Sequence, residues 1–262
     1  MLAVLSPAKS LDESPPPLDV PVTQPVLMKD AQSLMRTSRG LSQKKLQELM
    51  SISPDLAKLN YHRFRSFDLP MTKDNALPSS MMFAGDVYRG LDARSLGRDD
   101  LEWAQDRVAI LSGLYGILRP LDLVQPYRLE MGTRLKTRRG ASLYQFWGDK
   151  IAERVDALVA GHEDPTLVNL ASNEYFKSIS KKKLKAPVVA CRFEDWRDSA
   201  REPRVVSFLA KYARGAMARF VIEHRVDRVE GLKDFATDGY AFVPDRSSDD
   251  ELVFGRVFTP AT

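Results

Sequence analysis

The chain has 262 residues, of which 44% are hydrophobic and 28% charged, and a formal net charge of +4. This composition is ordinary for a globular protein, and the length allows a sizeable core. No apolar run approaches the roughly 18 residues of a membrane span, so no transmembrane segment is expected. The single cysteine, Cys191, excludes an intrachain disulfide and favours a reducing cytoplasm, with the thiol in a core strand.

The first 67 residues predict one strand followed by helices. Residues 2–5 are apolar and lack a basic lead-in, which predicts a buried strand rather than a signal peptide. Prolines between positions 15 and 25 predict an extended strap across one fold. Apolar residues at helical spacing predict helices over residues 29–67, with Gly40 as a stop, Ser42 as an N-cap and Pro54 in a first turn.

Strands and helices alternate through the rest of the chain. Residues 81–91 predict a strand-like piece with a short helix or turn, and residues 107–111 lead into a turn that contains Gly113 and Gly116. The other predicted helices cover residues 99–105, 143 to about 160 and 210–225. The other predicted strands cover residues 166–171, 188–193, 204–208, 240–243 and 252–258. This order predicts a mixed α/β (α+β) fold with residues 1–262 as a single domain.

Residues 111–132 combine three glycines with two X-Pro units and four charged side chains. Gly113 and Gly116 permit a tight turn whose N–H groups come close to another molecule. Arg119 and Arg128 flank two carboxylates, so one interpretation is a rigid anion-binding turn. The alternative is a hinge between two core elements, with each arginine paired to a carboxylate.

Basic residues are grouped in three places. One run covers residues 181–185, a second covers residues 134–139, and Lys211, Arg214 and Arg219 fall on one predicted helix. Each group alone is typical of a solvated face. If the three meet on one face, they predict a phosphate-binding surface.

Several carboxylates and a lysine have the character of a reaction site. The candidate catalytic residues are Lys9, Asp12, Asp86, Tyr88 and Glu130. A lysine near carboxylates suits Schiff-base or general-acid chemistry. The alternative for Lys9 and Asp12 is a structural ion pair under the proline strap. The three histidines show no metal-ligand spacing, so no metal and no cofactor are predicted.

Motifs along the whole chain resemble the YaaA family of bacterial peroxide stress proteins. They cover Ser6–Lys9, Phe83–Tyr88, Leu111–Asp122, Pro126–Gly132, Leu143–Gly148, Asn169–Lys177 and Ala210–Gly215. The resemblance implies a cytoplasmic protein that helps cells to survive hydrogen peroxide by limiting loose intracellular iron. It also implies binding of duplex DNA, with a preference for bent or branched forms.

The same resemblance implies a single-domain fold with a basic cleft and a helix-hairpin-helix-like element. We place that element on Ala104–Leu118, with Gly113 to Gly116 as the hairpin. Glycines in such a hairpin let N–H groups contact phosphate, and basic side chains add affinity through counterion release. The predicted DNA-binding residues are Gly113, Gly116, Arg119, Arg128, Lys181, Lys182, Lys183, Lys211 and Arg214.

The sequence therefore predicts two alternative functions of different classes. The first is a monomeric protein that binds duplex or branched DNA during peroxide stress. The second is an enzyme of the lyase or glycosylase type, which extrudes a damaged nucleotide and uses Lys9 as nucleophile or acid. Direct iron sequestration ranks last because the sequence offers no ligand cluster.

Overall fold

The computed structural model describes residues 1–196 and 202–257. Its strands are β1 (Leu2–Leu5), β2 (Ser10–Leu11), β3 (Leu77–Pro78), β4 (Phe83–Ala84), β5 (Val108–Ser112), β6 (Gly116–Leu118), β7 (Leu123–Val124), β8 (Leu167–Asn169), β9 (Val188–Trp196), β10 (Ala241–Phe242) and β11 (Glu251–Val257). Its α-helices are α1 (Met28–Arg39), α2 (Gln43–Met50), α3 (Pro54–Ser66), α4 (Ser79–Met82), α5 (Asp86–Leu91), α6 (Arg98–Ala104), α7 (Leu143–Trp147), α8 (Lys150–Val159), α9 (Asn173–Phe176) and α10 (Ser207–Glu223).

A seven-stranded sheet in the order β10-β11-β9-β8-β1-β5-β6 forms the centre of the molecule. The five inner strands are parallel, and β10 and β6 run antiparallel at the two edges. Val4 in β1 lies beside Ala109 on one side and Asn169 on the other. All four residues of β1 are buried, as a continuous apolar strand in a parallel sheet requires. The predictions of a buried first strand and of a mixed α/β fold are confirmed.

The helix-hairpin-helix predicted at Ala104–Leu118 is wrong. Helix α6 ends at Ala104, and β5 and β6 form an antiparallel β-hairpin across the intervening turn. Gly113 and Gly116 are both buried in this hairpin. A Cβ on Gly113 would lie 2.1 Å from the carbonyl oxygen of Leu129. The segment forms strands because its continuous apolar residues are buried and β5 pairs with β1 in the sheet.

A helical hairpin does occur, but earlier in the chain, at α2 and α3. Helix α2 ends at Ser51, which has a positive φ of 50°. The Ser42 hydroxyl caps α2, the Ser53 hydroxyl caps α3, and Pro54 is the first residue of α3. The capping predictions for this region are confirmed because they depend on interactions within one turn of helix.

Two other predicted elements differ from the structure. The helix predicted from residue 143 is split into α7 and α8 at Gly148, whose φ is +51°. In the segment predicted as a strand over residues 204–208, Arg204 forms a single bridge to Asp195 before α10 begins at Ser207. Phe258, the end of the last predicted strand, lies outside the described residues. In the described part of the chain, no helix is both long and apolar enough to cross a bilayer.

Candidate functional site

A cleft of about 390 Å³ opens at the carboxyl ends of β1 and β8. The chain leaves β1 through Ser6 and Lys9, and it leaves β8 through Leu170 and Ser172, and all four residues line the cleft. These two parallel strands are neighbours, so their following loops meet at one edge of the sheet. Ligands of open α/β sheets commonly bind at this edge.

Hydrogen bonds between the two loops hold the floor of the cleft. The Ser6 hydroxyl donates to the Ser172 hydroxyl at 3.2 Å and accepts from the Ser172 N–H at 2.9 Å. The Tyr88 hydroxyl donates to the Ser6 carbonyl oxygen at 3.0 Å. Burial raises the pKa of Tyr88 well above its usual value, so the phenol remains a donor. Tyr88 therefore supports the floor from below and does not line the cleft.

One wall of the cleft is an ion-pair triad of Lys9, Glu130 and Arg128. The Lys9 Nζ lies 3.1 Å from Oε2 of Glu130, and the Arg128 Nη2 lies 2.9 Å from Oε1. Glu130 thus engages both cations, one with each oxygen. The alternative pairing of Lys9 with Asp12 is wrong, because Asp12 instead lies 3.0 Å from the Nε of Arg94, outside the cleft.

The opposite wall is formed by α10, which contributes Lys211 and Arg214. The Nε of Arg214 is buried and has no hydrogen-bond partner among residues 1–196 and 202–257. Desolvation lowers the pKa of this guanidinium, and the neighbouring group acting on it is the Cys191 thiol rather than a carboxylate. Arg214 is therefore a largely buried cation without a carboxylate partner in the described chain.

Helix α5 brings Asp86 to the same cleft, where it forms an ion pair with Arg89 at 2.7 Å. The backbones of α5 and α10 are in direct contact. A Cβ on Gly215 would lie 1.7 Å from the Val87 carbonyl oxygen, and one on Gly90 would lie 2.1 Å from that of Tyr212. Only glycine fits at both positions, so this contact sets the spacing between Asp86 and the cations of α10.

The structure thus places four of the five candidate catalytic residues in or directly below one cleft. Lys9, Asp86 and Glu130 line it, Tyr88 supports it, and Asp12 lies elsewhere. The serines of the floor were missed, because Ser6 and Ser172 are 166 positions apart and carry no spacing signal. The roles of Gly90 and Gly215 were also missed, although a glycine inside a helical pattern often marks a packing constraint.

The residues predicted to contact phosphate do not lie together in the structure. Arg119 lies 3.6 Å from Asp122 and Arg128 lies 2.9 Å from Glu130, so each arginine is paired with a carboxylate, as the alternative interpretation of residues 111–132 predicts. Burial excludes Gly113 and Gly116 from contact with DNA. Lys183 pairs with Glu153 at 3.2 Å, and none of Lys181–Lys183 lines the cleft. Of the three basic groups, only the one on α10 contributes to it.

Cys191 lies in β9 behind Arg214 and is fully buried. Burial raises the pKa of its thiol to about 12. Reactive cysteines are thiolates in electropositive, partly exposed positions, and Cys191 has neither the ionisation nor the exposure. The prediction of a core thiol is confirmed.

Comparisons with known proteins agree with the motifs. A family model described as peroxide stress protein YaaA matches residues 1–246. A UPF0246 protein of Phenylobacterium zucineum is 50% identical over 260 residues, covering 99% of this chain and 96% of the relative. UPF0246 proteins of Caulobacter vibrioides and Bordetella petrii are 51% and 52% identical over 256 residues, covering 98% of this chain and 99% of each relative.

Proposed function

The chain belongs to the peroxide stress protein YaaA family, and we propose that it acts in the cytoplasm as a monomer that binds duplex or branched DNA during hydrogen peroxide stress. By this binding it limits the oxidative damage that free intracellular iron causes. The observation that carries the proposal is Arg214 beside Lys211 in the cleft, because the buried Nε of Arg214 has no hydrogen-bond partner among residues 1–196 and 202–257.

A phosphate group is the anion that these two side chains fit best. A guanidinium presents a planar fork of N–H donors that matches two phosphate oxygens, and a lysine adds a point charge. A buried cation without a partner is expensive, so an anion that reaches Arg214 gains a strong charge-assisted interaction. Contacts of this kind bind the sugar–phosphate backbone and ignore base identity.

The size of the cleft determines how DNA approaches. A volume of about 390 Å³ is that of a small-ligand site, so a duplex lies across the mouth and does not enter. The hairpin of α2 and α3 offers a further contact surface, since Lys44, Lys45 and Lys58 are exposed on it. The Arg63–Glu13 ion pair connects α3 to the segment that follows Lys9.

Salt-dependent DNA binding tests the proposal. Each phosphate contact contributes roughly 0.9 to the slope of log affinity against log salt. We expect Arg214→Gln to reduce that slope by about 0.9 on a plain duplex and on a four-way junction. Lys29→Gln is the matched control, because it neutralises an exposed cation on α1 that does not line the cleft. Equal slopes for Arg214→Gln and the wild type would remove the cleft from the DNA interface.

The cellular part of the proposal has its own test. A deletion strain that carries the Arg214→Gln variant should survive hydrogen peroxide less well than one that carries the wild-type chain. Its loosely bound iron, measured by electron paramagnetic resonance of whole cells, should be higher. Full protection by the variant would separate the stress role from the cleft.

Lys9 favours a second candidate function, the processing of damaged DNA. Its Nζ lies in the cleft, 3.1 Å from Glu130, and Asp86 lines the same cavity. In this function the Lys9 amine attacks the C1′ aldehyde of an abasic sugar, water leaves, and the resulting imine is reduced by added borohydride. Trapping should therefore produce a covalent adduct with wild-type protein and none with Lys9→Arg, which keeps the cation. Absence of an adduct on abasic and oxidised duplexes would refute the Schiff-base route.

A further inference from the structure

The charges of the cleft are unevenly distributed between its walls. On the β1 side, Glu130 engages both Lys9 and Arg128. On the α10 side, Lys211 and Arg214 have no carboxylate partner in the described residues, and Arg214 is largely buried. A ligand that fits this cleft carries its negative charge at the end facing α10. Its other end faces carboxylates, which accept hydrogen bonds.

Part of the cleft lining is apolar. It consists of Leu129 and Leu170 together with Tyr127 and Tyr175. The Tyr127 hydroxyl is already hydrogen-bonded to the Ser112 hydroxyl at 2.6 Å, and burial raises the pKa values of both tyrosines, so neither ring adds charge. A matching ligand therefore includes a flat or weakly polar body, such as a sugar or a base.

We propose that the cleft binds one nucleotide, with its phosphate on Arg214 and Lys211 and its sugar or base donors facing Asp86 and Glu130. This inference rests on the proposed function, because it takes the anion of the cleft to be a nucleic-acid phosphate. The cleft volume of about 390 Å³ suits a single small ligand. The nucleotide comes either from solution as a free monophosphate or from DNA as an extruded residue, and both have the same chemistry.

Calorimetry on the full chain tests the chemistry. Deoxynucleoside 5′-monophosphates should bind, and the corresponding nucleosides, which lack the phosphate, should bind at least tenfold more weakly. Arg214→Gln should weaken monophosphate binding at least tenfold, while Lys29→Gln should not change it. Circular dichroism and a melting curve show whether the Arg214 variant is folded, and Lys211→Gln offers a milder variant with the same expected direction. Equal affinity for nucleosides and monophosphates would overturn the proposal.

A second arm distinguishes the two sources of the nucleotide. A duplex with one unpaired, extrahelical nucleotide is compared with a fully paired duplex of the same length. If the nucleotide comes from DNA, the bulged duplex binds more tightly and the monophosphate competes with it. If it comes from solution, the two duplexes bind equally tightly, and the monophosphate competes with both to the same extent because each places a phosphate on Arg214.

The outcomes also separate this inference from the function on which it rests. Salt-dependent duplex binding without monophosphate binding and without a preference for the bulge would overturn the nucleotide site and leave the DNA-binding proposal standing. Monophosphate binding without any DNA binding would support the site and refute the DNA-binding proposal. Absence of both monophosphate binding and DNA binding would refute the nucleotide site and the DNA-binding proposal together.

Discussion

Replacing Gly215 by alanine tests the contact that holds the two sides of the cleft together. The added Cβ would lie 1.7 Å from the Val87 carbonyl oxygen and 2.8 Å from the Leu91 nitrogen. Both are backbone atoms, so no side-chain rotation relieves the overlap. Ordinary contact begins at 3.4 Å, so α5 and α10 would have to separate by roughly 1.7 Å.

The expected loss of stability is about 3 kcal/mol. Alanine is favoured over glycine inside a helix by about 1 kcal/mol, which offsets part of the cost of the overlap. In a chain of this size, 1 kcal/mol shifts the melting temperature by about 2–4 °C, so a decrease of roughly 6–12 °C is expected. Denaturant unfolding should show a lower midpoint with an unchanged slope.

Gly161→Ala is the matched control. No heavy atom lies within 4 Å of a Cβ at this position. The free energy of unfolding of Gly161→Ala should stay within about 0.5 kcal/mol of that of the wild type. A change of less than about 0.5 kcal/mol in Gly215→Ala as well would refute the backbone contact between α5 and α10. Binding of a nucleoside monophosphate to the folded variant gives a second readout, which should weaken because the spacing of Asp86 and Arg214 changes.

Three further predictions concern buried polar groups. Trp147→Phe removes the indole donor 3.1 Å from the Gly113 carbonyl oxygen, and it should cost about 1–3 kcal/mol in denaturant unfolding; an unchanged midpoint would contradict this. Burial lowers the pKa of His162 to about 4, with Arg107 adding to the effect. The unfolded chain then binds more protons than the native chain below about pH 6.5, so the free energy of unfolding should decline as the pH falls from about 6.5 to 4, and should decline less in His162→Gln. The same pH dependence of the free energy of unfolding in the wild type and the variant would refute this. Because burial raises the pKa of Cys191 to about 12, the native thiol should not react with a disulfide reagent at about pH 8 and should react after unfolding; full labelling of native protein would contradict its burial.

Local signals in the sequence predicted local structure well. Ser42, Gly40 and Pro54 delimit helices in the structure as the sequence indicates, because caps and proline act within one turn. The apolar run before Gly113 forms strand β5 in the structure, whereas this run and the glycines after it were assigned to a helical hairpin. A turn that contains two glycines has the same local sequence in a helical hairpin and in a β-hairpin. The pairing of that strand with β1 decided between them, and pairing is not visible in a local pattern.

The sequence by itself determined the family, the buried first strand, the helix caps and the inventory of charged residues at the candidate site. Tertiary structure alone decided which of those charges are neutralised. Arg119 and Arg128 have carboxylates near them in sequence and pair with them, whereas Arg214 lines the cleft with no carboxylate partner in the part of the chain that the structure describes. The physical reason is that ion pairing depends on the distance between two charges and on their burial in the folded chain. Residues far apart in sequence affect both quantities as much as sequence neighbours do.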